Sequence, residues 1–172
     1  QNSVSDPLPN RRADIINLSL GGPDFSLTLE TAVSAAIAQG VIVIAAAGNE
    51  STSSNFYPAA YDDVVSVSSV TDNKTRSGFS NFGDTIDIAA PGGTGFNDPL
   101  FDGFQDGILS TVFASEYVEY QGTSMAAPHV AGVAALMKAV YPQLNNISFI
   151  SALESGALTD NIGQQNFFGN GL

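Results

Sequence analysis

Residues 122–132, Gly-Thr-Ser-Met-Ala-Ala-Pro-His-Val-Ala-Gly, place a serine hydroxyl at the start of a long apolar helix. Ser124 falls in the first helical turn, where unpaired backbone N–H groups and the positive end of the helix dipole favour negative charge. Such a position suits a developing oxyanion, and a serine that acted there as a nucleophile would need a neighbouring base to take its proton. An isolated serine at a helix start is more often a cap, although Thr123 is the better capping candidate here.

A carboxamide follows the apolar run 41–47, which predicts a buried strand ending at Gly48. Functional side chains collect at the carboxyl ends of parallel strands, and Asn49 occupies such a position. Its amide can donate a hydrogen bond to an oxyanion, with the Ser124 backbone N–H as the second donor. On spacing alone, an asparagine after Gly48 is more typical of a turn.

The run 122–132 resembles the nucleophile motif of the subtilisin-like serine peptidases (subtilases), and Ala-Ala-Gly-Asn at 46–49 resembles their oxyanion segment. The resemblance implies a secreted serine endopeptidase that hydrolyses peptide bonds through an acyl-enzyme on Ser124, with Asn49 stabilising the oxyanion. It covers nearly all of this chain, but only about the C-terminal half, or somewhat more, of the family's catalytic domain.

Residues 17–22, Asn-Leu-Ser-Leu-Gly-Gly, resemble the subtilase segment that pairs with an extended substrate. The resemblance implies that a peptide adds as a strand to exposed backbone at Ser19, Leu20 and Gly21. It also implies that Ala46, Ala47 and Gly48 line the other wall of the pocket for the residue before the scissile bond. Small residues on both walls predict a roomy apolar pocket and broad specificity. The alternative is an ordinary strand that ends in a diglycine turn.

The other members of a subtilase triad have no counterpart in these 172 residues. The family's triad runs in chain order aspartate, histidine, serine, and no Asp-Thr-Gly or His-Gly-Thr segment occurs. The only histidine, His129, lies about 140° around the helix axis from Ser124, and in the family it is a packing residue. We therefore expect the base and its carboxylate to come from an upstream segment, and the isolated chain to be inactive. The alternative is a non-catalytic peptide-binding or assembly module that keeps the scaffold.

The hydrophobic pattern predicts an α/β fold, a parallel sheet flanked by helices, which matches an incomplete three-layer subtilase domain. Runs 14–20 and 41–47 predict buried strands joined by an amphipathic helix over 26–39, a βαβ crossover. The helix over 123–140 is apolar nearly all round, which is typical of a buried central helix. We assign one domain to residues 1–172, with 1–13 as a loop or a severed connection. Further strands are predicted at 64–70, 86–90, 108–113 and 117–121, and a last helix at 146–156.

A weak cation site is a further implication of the family resemblance. Residues 57–61 (Tyr-Pro-Ala-Ala-Tyr) with a later aspartate resemble a subtilase site in which backbone carbonyls and one carboxylate bind calcium or sodium. The ligands implied are Ala59, Tyr61, Val64 and Asp87. No cofactor is required for the chemistry. Aspartates 98, 102 and 106 are more typical of solvated charges than of calcium ligands.

The charge balance limits the partners that the chain can take. Seventeen acidic against five basic residues give a net charge of −12, which repels nucleic acid and anionic membranes, so neither is expected as a partner. The chain has no cysteine, which excludes disulfides and thiolate metal sites. A start at glutamine indicates a processed or excised piece. The partners expected are a polypeptide substrate, the missing N-terminal part of the same domain and, through uncovered sheet edges, a second copy.

Overall fold

A parallel four-stranded sheet forms the centre of the computed structural model, which describes residues 12–94, 107–159 and 169. The strands lie in chain order across the sheet, with Ile16 opposite Val43 and Ile44 opposite Val65. This arrangement confirms the α/β class expected from the hydrophobic runs. The strands are β1 Ile15–Leu18, β2 Ile42–Ala46, β3 Val65–Val70 and β4 Ile88–Pro91.

Three helices and a hairpin complete the described part of the chain. The helices are α1 Leu27–Ala38, α2 Thr123–Val140 and α3 Asn146–Glu154. The antiparallel hairpin pairs β5 Ile108–Val112 with β6 Glu116–Tyr120. These elements match the predicted ones to within one or two residues at most ends. Helix α1 joins two parallel strands, so the βαβ crossover is confirmed.

Two apolar layers cover the sheet, one on each face. Every residue of β2 is buried, and successive side chains on a strand point to opposite faces. Ile42 and Ile44 pack in one core cluster with α2 and α3, whereas Val43 and Ala45 pack in a second cluster with α1. A strand buried on both faces must be apolar at every position, which explains the continuous run that predicted it.

Helix α2 is buried on one side only, so the expectation of a helix buried all round is wrong for the described chain. Small residues on its sheet side, such as Ala127 and Ala134, are fully buried and let the helix approach the strands closely. Val133, Leu136 and Val140 on the other side are 51%, 71% and 70% exposed. Among the described residues, no helix has the length and apolar character needed to cross a membrane.

A buried asparagine joins α3 to the sheet. Asn146 is 1% exposed, accepts a hydrogen bond from the Val43 N–H at 3.2 Å and donates one to the Asp63 carbonyl at 2.7 Å. The helix itself starts with a capping box between Asn145 and Ser148. Asn146 therefore satisfies two backbone groups that the sheet and its following loop leave buried.

Replacing Asn146 by alanine should lower the free energy of unfolding by about 2–3 kcal/mol, because the buried Val43 N–H and the partly buried Asp63 carbonyl lose their hydrogen-bond partner. Denaturant unfolding of the full-length protein measures the change. Ile147→Ala is the matched control, since Ile147 lies on the same helix and is 73% exposed; it should change stability by less than about 0.5 kcal/mol. Equal effects of the two substitutions would contradict the structural role of Asn146.

Candidate active site

The start of α2 is tied to the end of β2 by the side chain of Asn49. Asn49 Oδ1 accepts hydrogen bonds from the Thr123 N–H at 2.9 Å and from Thr123 Oγ1 at 3.0 Å. Thr123 Oγ1 in turn accepts the Gly48 N–H at 3.1 Å. The N-cap of α2 is Gly122, which has no capping side chain. The expectation that Thr123 caps the helix is therefore wrong, because the capping oxygen comes from Asn49 across the fold.

The carboxamide of Asn49 and the Ser124 N–H border the same position at the start of α2. The position that a Cβ on Gly122 would occupy lies 3.5 Å from Asn49 Nδ2, 3.6 Å from Asn49 Oδ1 and 3.7 Å from Ser124 N. Residue 122 itself has a φ of +145°, which favours glycine. Two N–H donors that converge at the first turn of a helix can stabilise an oxyanion.

The Ser124 hydroxyl lies at the same end of the sheet. Ser124 Oγ donates to the Ser19 carbonyl at 3.3 Å, and Ser19 Oγ donates to the Ser124 carbonyl at 2.8 Å. Ser124 is half-buried, whereas Asn49 is exposed. Residues from the ends of β1 and β2 and the start of α2 thus meet at the carboxyl edge of the parallel strands, where α/β proteins place their sites.

The single histidine does not reach this cluster. His129 Nδ1 lies 2.8 Å from the Met125 carbonyl, one turn earlier on the same helix. Its side chain is exposed, so the packing role implied by the family resemblance is not what the described chain shows. The hydroxyl of Ser124 faces a carbonyl oxygen, which cannot act as a base. In the described part of the chain, the hydrogen bonds of Ser124 Oγ and of His129 therefore do not join the two side chains.

A buried carboxamide that the sequence analysis missed holds the loop that carries Asn49. Asn81 is 2% exposed, and its Nδ2 donates to the Ala47 carbonyl at 2.8 Å and to Glu50 Oε2 at 3.0 Å. Its Oδ1 accepts the N–H groups of Glu50 at 2.9 Å and Thr52 at 3.3 Å. Glu50 Oε2 also accepts the Asn49 N–H at 2.8 Å. Asn81 thus fixes the backbone on both sides of Asn49.

The pocket wall expected at Ala46, Ala47 and Gly48 is largely buried. Ala46 and Ala47 are each 3% exposed, and Ala46 packs in the core beneath α2. On the other wall, Leu20 is 57% exposed. The ring of Phe56 lies against both Gly21 and Gly48, so less space is left between the two segments than their small residues alone suggest.

The residues expected to hold a cation are only partly brought together. Asp87 Oδ2 accepts the Ser66 N–H at 2.7 Å, which places the carboxyl group at the start of β3, next to Val64. Ala59 and Tyr61 lie in the preceding loop, where the Tyr61 carbonyl accepts the Val64 N–H at 3.3 Å. The aspartates at 98, 102 and 106 lie outside the described residues.

Burial raises the pKa of Asp87 to about 6, against the lowering effect of the Ser66 hydrogen bond and with a further rise from Glu154. The neighbouring Ser66 Oγ is buried and, within the described chain, has no hydrogen-bond partner. A buried carboxyl group is an oxygen ligand of the kind that hard cations prefer. Binding of calcium or sodium at Asp87 stays a prediction.

Comparison with known proteins identifies the family. The sequence profile described as the subtilase family matches residues 1–171. The chain belongs to the subtilase family. It is 40% identical to subtilisin DY of Bacillus licheniformis, over 92% of this chain and 54% of that protein. It is also 40% identical to subtilisin BL of Lederbergia lenta, over 95% of this chain and 55% of that protein.

Solved subtilase structures share the fold. A protease from Pseudoalteromonas arctica PAMC 21717 superposes with a TM-score of 0.83 and 38% identity, over 99% of this chain and 51% of that chain. A cold-adapted subtilisin-like serine proteinase gives a TM-score of 0.78 and 35% identity, over 94% of this chain and 55% of that one. This subtilase sequence therefore spans about half the length of the curated relatives it matches.

Asn81→Ala should lower the free energy of unfolding of this subtilase by about 2–3 kcal/mol, because one buried and two partly buried backbone groups lose their partner. Asn55→Ala is the control, since Asn55 is exposed and its side chain donates to the Tyr57 hydroxyl at 3.2 Å; its effect should stay below about 0.5 kcal/mol. Chemical denaturation of the full-length protein compares the two. A loss for Asn81→Ala no larger than the control's would show that the loop does not depend on Asn81.

Stability should fall as pH rises from about 4 to about 6 in cation-free buffer. The pKa of Asp87 is raised from 3.8 to about 6, so in this window the folded state binds more protons than the unfolded chain. The contribution of protonated Asp87 to the free energy of unfolding is complete below about pH 4 and is lost as the pH rises through about 6. In total it is on the order of 3 kcal/mol. Unfolding of the wild type and of Asp87→Asn, measured across this range, tests the sign. If the free energies of unfolding of the two proteins changed in parallel with pH, the predicted role of Asp87 would be contradicted.

Proposed function

We propose that this subtilase is a serine endopeptidase whose nucleophile is Ser124 and whose oxyanion donors are Asn49 Nδ2 and the Ser124 N–H. Membership of a family of serine proteases supports the reaction class. The observation that carries the residue assignment is the space at Gly122, which lies 3.5 Å from Asn49 Nδ2 and 3.7 Å from Ser124 N. Donors placed before the reaction need not reorganise when charge develops, which is the main advantage of such a site.

The proposed reaction proceeds in two halves. Ser124 Oγ attacks the carbonyl carbon of the scissile peptide and loses its proton to a general base, while the carbonyl oxygen becomes an oxyanion bound by the two donors. The C–N bond then breaks, the amine leaves with the proton returned by the base, and the acyl group stays on Ser124. Water attacks the acyl-enzyme by the same path and releases the carboxylic acid, which restores the hydroxyl.

The substrate chain is proposed to bind beside β1. Ser19 and Leu20 continue the edge of the sheet beyond β1, and the Ser19 carbonyl is already 3.3 Å from Ser124 Oγ. A peptide that adds to this backbone as an extended strand brings its scissile carbonyl to the nucleophile. Displacement of the Ser19–Ser124 hydrogen bond would then free the hydroxyl for attack.

The histidine base and its aspartate are proposed to lie upstream of these 172 residues, in the part of the catalytic domain that the longer relatives possess. Strand β1 pairs only with β2 among the described strands, and the outer side of α2 is apolar and exposed. We propose that the upstream part covers both surfaces. Without it, self-association of the isolated chain through the same surfaces is expected, which sedimentation would test by the presence or absence of oligomers.

The proposal includes a secreted enzyme and a structural cation. Secretion rests on the likeness to the subtilisins and is tested by detecting the protein in culture medium. A structural cation is proposed because the carboxyl group of Asp87 is buried; the carbonyls of Ala59, Tyr61 and Val64 are the further ligands proposed. Added calcium should raise the melting temperature of the wild type but not of Asp87→Asn, whereas equal responses would remove Asp87 from the ligand set.

Ser124→Ala should abolish labelling of the full-length protein by a fluorophosphonate and reduce peptide hydrolysis to background. Asn49→Ala should lower kcat about 10²–10³-fold with a smaller change in KM, because its donor acts mainly on the transition state. That magnitude is the one known for the equivalent asparagine of subtilisin, a member of the same family. Asn55→Ala, an exposed asparagine nearby in the chain, should leave both constants unchanged.

Hydrolysis by the isolated 172-residue chain should be undetectable, because a serine without its base loses nearly all triad catalysis. Fluorophosphonate labelling that survives in Ser124→Ala, or a normal kcat for Asn49→Ala, would contradict the assignment. A full-length protein that binds peptides but is neither labelled nor active would instead be the non-catalytic module.

A further inference from the structure

The side chain of Phe56 lies beside the backbone that is proposed to bind substrate. If Gly21 carried a Cβ, that atom would be 2.4 Å from Phe56 Cε1 and 2.9 Å from Phe56 Cδ1, which is closer than real contacts. The ring therefore lies flush on the Gly21 backbone, in space that any side chain at position 21 would occupy. Phe56 itself is half-buried, so part of its ring faces solvent.

Another atom of the ring lies against Gly48. A Cβ there would be 2.9 Å from Phe56 Cγ, and the φ of Gly48 is +104°, a conformation that favours glycine. Phe56 thus touches the segment that follows β1 and the segment that follows β2. The ring spans the gap between these two segments.

The backbone holds Phe56 in this gap. Its neighbour Tyr57 exchanges two hydrogen bonds with Gly22: Gly22 N–H to the Tyr57 carbonyl at 2.9 Å, and Tyr57 N–H to the Gly22 carbonyl at 2.8 Å. The Phe56 carbonyl accepts the Ala60 N–H at 2.9 Å. The backbone at residue 56 is therefore held on both sides, which keeps the Cα of Phe56 next to the gap.

Both segments that enclose the ring are tied to the start of α2. The Ser19 carbonyl is 3.3 Å from Ser124 Oγ, and the Gly48 N–H bonds the side chain of Thr123 at 3.1 Å. With the substrate bound beside β1 as proposed above, the side chain before the scissile bond points into the gap between these segments. A phenyl ring in that gap shortens the pocket.

We propose that Phe56 closes this pocket, so that the enzyme cleaves after small residues such as alanine, glycine and serine and discriminates against large aromatic and branched ones. This inference rests on the proposed peptidase function. Each methylene that a pocket cannot accommodate changes kcat/KM by about 10–200-fold, so an occluded pocket produces strong selectivity. The substrate class is thus polypeptides cut at small side chains.

The test compares two chromogenic peptides, identical except for alanine or phenylalanine before the scissile bond, on the full-length enzyme. The wild type should give a kcat/KM for the alanine peptide at least about 10-fold above that for the phenylalanine peptide. Phe56→Gly should reverse this preference by opening the pocket. Phe56→Leu keeps a smaller apolar side chain in the gap, so it should shift the ratio of the two kcat/KM values part of the way. This second variant tests the proposal even if Phe56→Gly is unstable.

Phe113→Gly is the matched control, since Phe113 lies on the turn between β5 and β6 and is 97% exposed; its ratio should equal the wild type's. A wild-type preference for the phenylalanine peptide, or an unchanged ratio in both Phe56 variants, would overturn the role of Phe56 while leaving the peptidase function intact. Absence of hydrolysis of both peptides, together with absence of fluorophosphonate labelling, would overturn the proposed function and this inference with it.

Discussion

The hydrogen bonds from Thr123 to Asn49 Oδ1 set the geometry on which the site depends. They join the carboxyl end of a central strand to the first turn of α2, and they fix which end of the carboxamide faces the nucleophile. With the oxygen engaged by Thr123, the amide end of Asn49 is left as a hydrogen-bond donor at the start of α2. A rotated carboxamide would present an oxygen to a developing oxyanion and would repel it.

Much of the molecule serves to keep that connection in place. The buried strands bring Gly48 and Ser19 to the same edge, and the small residues of α2 let its start approach that edge closely. Asn81 then satisfies the backbone around Asn49 from a segment that lies far along the chain. A loop held by so many internal hydrogen bonds loses little entropy when a substrate binds, which favours a preorganised site over one that forms on binding.

The sequence predicted the sheet and helices because their signals are local. The continuous apolar run of β2 is typical of a strand buried on both faces, and Gly21-Gly22 and Gly48 mark the ends of the runs that form β1 and β2. Long-range contacts have no such signal. Nothing near Asn81 in the sequence indicates that it bonds the loop after β2, and the small residues at Gly21 and Gly48 suggested an open pocket because the ring that fills it comes from a third segment. The outer side of α2 illustrates a similar limit, since a pattern of apolar residues predicts that a surface is covered without showing what covers it.

The most direct test is a high-resolution crystal structure of the full-length protein with a peptide boronate or phosphonate bound covalently to Ser124. The account predicts that one oxygen of the tetrahedral adduct lies about 2.7–3.1 Å from both Asn49 Nδ2 and Ser124 N, with Asn49 Oδ1 still bonded to Thr123. An adduct oxygen that points to solvent, or an Asn49 side chain turned away from it, would contradict the account.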